Sequence, residues 1–191
     1  LLEGNVVVIT GSTGTIGFET YKMFKSYGAE VVLLDNNLER LTEVQSKIKD
    51  LCIHCDVTNK KSIKNAFKQI CEKFGGIDIL ISNAGYALES SILDLDITTL
   101  KESFELNFFA HFNLAKEVSK VLINQSIGGK ILFNVSKQAV NPGKNFGSYG
   151  LPKATLMFLL KQLALELGEY NISVNGVNAD KIRSGLLTPK M

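Results

Sequence analysis

This chain predicts an α/β fold in which helices cover both faces of one parallel, doubly wound sheet, three α/β/α layers in all. Six short runs rich in β-branched residues alternate with longer helix-patterned segments from one end to the other. The runs are apolar throughout, without the polar alternate face of a half-exposed strand, as expected of strands covered on both sides. The first run leads through a glycine-rich turn directly into a helix, the junction at which such sheets receive phosphate groups.

Taken in order, the first strand is expected over Val6–Ile9 and is followed by "TGSTGTIG", Thr10 to Gly17. Helical periodicity then covers Ile16–Tyr27, and Val31–Leu34 reads as the second strand, closed by Asp35 and Asn36. A helix over Leu38–Lys49, a strand over Cys52–Cys55 and a helix over Lys60–Phe74 come next, with Lys60, Lys61 and Lys64 on a solvated face. Ile77–Ile81 is the fourth strand, and the long pattern Thr98–Asn124 should divide into two helices. Lys130–Val135, a helix over Ala154–Leu167 and a last strand over Ile172–Val177 complete the series. No repeat, low-complexity tract or linker interrupts it, so residues 1–191 read as one domain.

Composition narrows the function. Hydrophobic residues make up 45% and charged residues 21%, ordinary values for a globular protein. A net charge of +2 with scattered lysines offers nothing to nucleic acid, and no apolar run approaches a membrane span. Three cysteines without framework spacing suit a reducing cytosol, so a cytoplasmic location is expected. "CIHC" invites a metal, but Cys52 and Cys55 should face opposite sides of a strand and no second ligand pair exists, so none is expected. His111 reads as a helix residue and not as a base. The chain begins at Leu1, which leaves an excised domain, a processed product or a trimmed chain open.

The glycine loop can cradle a dinucleotide's pyrophosphate. Gly11, Gly14 and Gly17 permit a tight turn and a close backbone, with Ser12, Thr13, Thr15 and Ile16 between them at a helix N-terminus. Asp35 stands 18 residues after Gly17 at the end of the second strand, where a carboxylate accepts from ribose hydroxyls and repels a 2′-phosphate. NAD is therefore expected, with NADP the alternative.

Further motifs make the chain resemble the short-chain dehydrogenase/reductase superfamily from Leu2 to Met191, which implies an NAD(P)-binding Rossmann domain. "HCDVT" carries the family's adenine-pocket pair at Asp56–Val57. "SNAG", Ser82 to Gly85, resembles its Asn-Asn-Ala-Gly signature, with Asn83, Ala84 and Gly85 retained and Ser82 replacing the first asparagine. "YGLPK" supplies Tyr149 and Lys153 in the Tyr-x-x-x-Lys arrangement, Ser136 precedes Tyr149 by 13 residues, and Asn107 occupies the family's fourth position. Thr15 stands where one branch of the family has glycine, so either the loop opens slightly or the threonine hydroxyl becomes a phosphate donor. "NFGSYGLPKA", "LALELG" and "VNGVNADKIRSGLL" are similar to the dehydrogenase half of bifunctional aldolase/short-chain dehydrogenases. That resemblance implies a possible fusion to an aldolase domain and a lactaldehyde-like or sugar substrate.

The resemblance also implies roles. Tyr149 is acid/base, with Lys153 one helical turn along and the oxidised nicotinamide's positive charge lowering its pKa from about 10, and with Lys153 holding the nicotinamide ribose. Ser136 shares charge on the substrate oxygen, and Asn107 interrupts a helix to hold a relay water. The expected activity is hydride transfer between nicotinamide and a small alcohol or carbonyl. A non-catalytic dinucleotide sensor is the alternative, although such proteins usually lose the tyrosine or the lysine.

Three more expectations concern the last third. Pro152 should place the start of its helix near Ser148–Leu151, with the proline in or before the first turn. "ATLMFLLKQLALEL" is apolar around most of its circumference, which implies a homodimer or homotetramer packed through Asn113–Val121 and Ala154–Leu167. The family usually continues for another strand and a substrate lid, so at "SGLLTPKM" the last strand and lid are expected to be missing.

Overall fold

The β-branched runs form six strands, all parallel: β1 Val6–Thr10, β2 Glu30–Asp35, β3 Leu51–His54, β4 Ile79–Ser82, β5 Gly129–Asn134 and β6 Ile172–Val177. The computed structural model describes residues 1–180 and 182, so the expectation for "SGLLTPKM" lies outside the described residues. The strands lie in the order β3-β2-β1-β4-β5-β6. The helices are α1 Thr15–Ser26, α2 Leu38–Gln45, α3 Lys60–Phe74, α4 Ile97–Phe104, α5 Ala110–Gln125 and α6 Gly147–Leu167. This is the doubly wound Rossmann-type architecture that the alternation predicts.

Side chains of β1 divide between the two faces. Val7 and Ile9 pack with Tyr21 of α1 and Leu41 of α2, whereas Val6 and Val8 pack with α3, α5 and α6. Val7, Val8, Ile9, Val32, Leu33 and Leu34 are wholly buried, each worth about 1.5–3 kcal/mol relative to exposure. Cys52 joins the first face and Cys55 the second, as their spacing predicts.

Several boundaries move, each for a local reason. β4 begins at Ile79 because the Gln125 amide takes both backbone groups of Ile77, at 2.9 and 2.8 Å. Helix α2 stops at Gln45, leaving five residues to turn the chain into β3. Thr98–Asn124 is not two separated helices. Five residues of π-helix, Glu105–Phe109, join α4 to α5 without a break.

The Pro152 expectation is corrected. Helix α6 begins at Gly147, which puts Pro152 in its second turn. Proline there deprives the Ser148 carbonyl of its helical N–H. The helix tolerates this because Ser103 Oγ donates to that carbonyl at 2.7 Å.

The chain passes from β3 on one side of β1 to β4 on the other. The connections that leave β1 and β4 therefore run to opposite faces, and a crevice opens beyond their carboxyl ends.

Candidate active site

That crevice has a volume of about 540 Å³, within the range of small-molecule sites. The glycine loop forms one wall, Asp35 with Asn36 and Asn37 closes one end, and Tyr149 with Lys153 closes the other. Gly11 has φ +61°, and a Cβ there would stand 2.8 Å from Ala84 Cα. A Cβ on Gly17 would overlap the Gly11 carbonyl. The loop is thus tight for steric reasons, and the Gly14 N–H closes on Gly11 O at 3.3 Å.

Thr15 is the first residue of α1, and its exposed side chain stands at the crevice. It does not open the loop. Gly14, the N-cap, has no side chain to satisfy the first turn, which leaves the positive end of the helix dipole facing the crevice.

The other loop residues divide by what they touch. Ser12 departs from the expected role: fully buried, its Oγ donates to Leu34 O at 3.1 Å and stitches the loop to β2. Thr13 bonds Asp35 Oδ2 through both its N–H and its hydroxyl, each at 2.9 Å, while Asn37 N donates to Asp35 Oδ1 at 3.0 Å. Ile16 lines the wall. At the third strand Cys55 and Val57 line the crevice, whereas the Asp56 Oδ1 between them accepts from Thr58 N and Oγ1 at 2.9 and 2.7 Å.

Asn83 is a brace. Its Nδ2 donates to Thr10 O at 3.0 Å, its Oδ1 accepts from Asn134 Nδ2 at 2.9 Å, and Thr10 Oγ1 accepts from Asn83 N and Ala84 N. One side chain thereby ties together the ends of β1, β4 and β5. Ser82, the departure from the signature, has its own partner, His111 Nδ1 at 2.6 Å. His111 is buried, and burial holds its pKa well below the ordinary value.

At the far end, Ser136 caps a short 3-10 turn by accepting from Gln138 N at 3.1 Å, and its hydroxyl bonds the Tyr149 phenol. Lys153 is 2% exposed and donates to Asn134 O at 2.9 Å. Its Nζ lies 5.6 Å from the centroid of the Tyr149 ring. Burial pushes the Lys153 pKa down to about 7 and the Tyr149 pKa up, the Ser136 hydrogen bond opposing the latter. Among protein groups alone, desolvation of the phenol therefore outweighs the Ser136 hydrogen bond, and its pKa is not lowered as expected.

Asn107 occupies the π-helix, fully buried. Its Nδ2 donates to Tyr86 O at 3.0 Å and to Ser103 Oγ at 3.1 Å, and its Oδ1 has no partner. A Cβ on Gly85 would come 2.8 Å from that oxygen and 3.7 Å from Lys153 Nζ, so glycine keeps the space between them open.

The profile of the short chain dehydrogenase family matches residues 5–190. The chain belongs to that family. "Short-chain dehydrogenase reductase 3b" of Arabidopsis thaliana is 36% identical over 181 residues, covering 92% of this chain and 70% of that protein. "Uncharacterized oxidoreductase YuxG" of Bacillus subtilis is 34% identical over 190 residues, which is 94% of this chain but 27% of that one. Among solved structures, the 3-ketoacyl-(acyl-carrier-protein) reductase of Brucella melitensis complexed with NADH superposes with a TM-score of 0.93. It is 25% identical and covers 98% of this short-chain dehydrogenase and 79% of its own chain. No helix among the described residues is long and apolar enough to cross a membrane.

The residues present fit a nicotinamide dinucleotide. A Cβ at Gly11 or Gly17 would strike neighbouring backbone, so the loop needs glycine to stay this tight; the α1 terminus is uncapped, and the orphaned Asn107 oxygen lies beside Gly85 of the crevice lining. Sequence reasoning missed Arg40, Asn134, Tyr86 and Leu106, all of which line the crevice. Arg40 is reached by following α2 beyond Asp35. The others belong to no motif, and only the strand order brings them in.

Proposed function

We propose that this short-chain dehydrogenase transfers a hydride between NAD and a small alcohol or carbonyl. The observation that carries the reading is the convergence of Tyr149, Lys153 and the glycine loop on one crevice, with Ser136 hydrogen-bonded to Tyr149 behind it. When bound, the nicotinamide supplies the hydride acceptor or donor. Gly11, Gly14 and Gly17 let the backbone and the α1 terminus hold the pyrophosphate, with the Thr15 hydroxyl as a further donor. Val57 and Asp56 bound the adenine end, and Asn83, Ala84 and Gly85 form the floor.

In the oxidative direction Tyr149, as phenolate, removes the alcohol proton, and in the reductive direction it returns one to the carbonyl oxygen. Ser136 turns its hydroxyl hydrogen from Tyr149 to that oxygen as charge gathers there. Lys153 holds the nicotinamide ribose and, through Asn107, connects the phenol to solvent protons. A cationic ring beside Tyr149 favours the phenolate and opposes the effect of burial.

The Asp35 carboxylate supports NAD, because its negative charge disfavours a 2′-phosphate. Arg40 at the same end is the feature that keeps NADP the alternative. A lactaldehyde-like or sugar substrate, and an aldolase region in the full-length chain, rest on the motifs of the last third. Assembly as a homodimer or homotetramer is supported by Phe158 and Leu165 of α6, which are 70% and 80% exposed.

The test is Tyr149→Phe in the full chain, with reduced cofactor followed by absorbance over a panel of small alcohols and hydroxyaldehydes. Turnover should fall by about 10²–10⁴-fold, as when a general acid/base is removed, while NADH binding persists. Undiminished turnover refutes the role, and binding without any wild-type turnover favours a non-catalytic sensor.

A further inference from the structure

Helix α6 contains a proline where a helix ordinarily requires a donor, and the consequence extends to Asn107. Pro152 is buried and has no N–H, so the Ser148 carbonyl loses its helical partner. A buried carbonyl left unpaired is costly. Ser103, at the end of α4 and 2% exposed, donates its hydroxyl to it at 2.7 Å.

A hydroxyl has one hydrogen. With that hydrogen committed to Ser148 O, Ser103 Oγ presents only lone pairs to its other neighbour, Asn107 Nδ2 at 3.1 Å. Tyr86 O takes the second amide hydrogen at 3.0 Å. The loop carrying Tyr86 is itself tied to α6, because Ser148 Oγ donates to Leu88 O at 2.6 Å. Both amide hydrogens are thereby committed to acceptors other than Lys153, and the unpartnered Oδ1 lies beside Gly85, where a Cβ would stand 2.8 Å from it and 3.7 Å from the Lys153 amine.

We propose that Ser103 is a positioning residue: the carbonyl freed by Pro152 sets the direction of its hydroxyl, and that direction holds the Asn107 amide with its oxygen toward Lys153. The catalytic consequence rests on the dehydrogenase reading, because an amide oxygen in this place favours the ammonium and a flipped amide would oppose it.

Three variants of the full chain separate positioning from mere filling. Ser103→Ala removes the donor to Ser148 and the acceptor for Asn107 together. Ser103→Ala with Pro152→Ala restores a backbone N–H for the Ser148 carbonyl but not the acceptor. Ser103→Thr keeps the hydroxyl. The expected result is a kcat lower by up to about tenfold in the first two, the worth of one neutral hydrogen bond. KM for NAD should stay within about twofold, a loss of kcat alone being the mark of a contact that matters only during the reaction. The acid limb of the pH profile should move to higher pH, Ser103→Thr should restore it, and the thermal stability lost in Ser103→Ala should return in the double variant. Wild-type kcat in Ser103→Ala, or kcat regained along with stability in the double variant, overturns the proposal. A wild-type chain that binds NADH without turnover sinks the dehydrogenase reading instead. The side-chain amide resonances of Asn107 in ¹⁵N-labelled protein then decide: they should shift in both alanine variants and not in Ser103→Thr, and unchanged resonances overturn the proposal.

Discussion

Replacing Lys153 by methionine should make the protein more stable at neutral pH. The amine is 2% exposed, and burial depresses its pKa from 10.5 to about 7. Above pH 10.5 the amine is neutral in both folded and unfolded chains, so no penalty arises. As pH falls toward 7 the unfolded chain binds the proton and the folded chain resists it, and below 7 the penalty is complete. A depression of that size corresponds to about 5 kcal/mol. Methionine keeps the stem but leaves Asn134 O, now 2.9 Å from Nζ, without its donor, at a cost of about 1–3 kcal/mol. The net gain is roughly 2–4 kcal/mol at pH 6. The measurement is urea unfolding of both proteins at pH 6, 8 and 10, read as the difference between them so that titrations common to both cancel. The difference should shrink through pH 8 and change sign by pH 10. A difference independent of pH, or a less stable variant at pH 6, would refute the reasoning. A stabilised variant without turnover would show that this lysine is held in the core for function and against stability.

Asn83→Ala removes the amide that ties β1 to β5 and should cost about 2–3 kcal/mol in unfolding, given that it leaves Thr10 O and Asn134 Nδ2 without partners; a loss below about 0.5 kcal/mol would contradict the brace. Asp35→Ser removes the carboxylate but leaves Arg40, so kcat/KM with NADP relative to NAD should rise by about tenfold or more, as when one charge-assisted contact changes; an unaltered ratio would show that Asp35 does not read the ribose. Phe158→Glu places a charge on an apolar face and should shift sedimentation toward the monomer if α6 is an assembly surface; an unchanged species would exclude that face.

Much of the site was legible because its motifs are local. The glycine spacing, Asp35 and the Tyr-x-x-x-Lys pair each lie within one turn or at one strand end, where residue type and backbone conformation are tightly linked. The same logic fails at Ser12, a residue of the loop that turns into the core, and at Asn83, whose signature position gives no sign that its amide is consumed by β1 and β5. It fails at Pro152 as well. The start of α6 is displaced from the expectation by a partner 45 residues away from Ser148 in sequence, which no helical rule could supply.

By itself the sequence determined the alternation of strands and helices, the parallel sheet and the loop able to hold a pyrophosphate, because periodicity and turn chemistry act over a few residues. The tertiary structure alone decided which ends meet: that β1 neighbours β4, that Asn83 reaches Thr10 across 73 residues, and that Ser103, freed from any motif, orients Asn107. Those contacts depend on strand order and crossover, and burial then turns proximity into chemistry by raising the phenol's pKa and lowering the amine's.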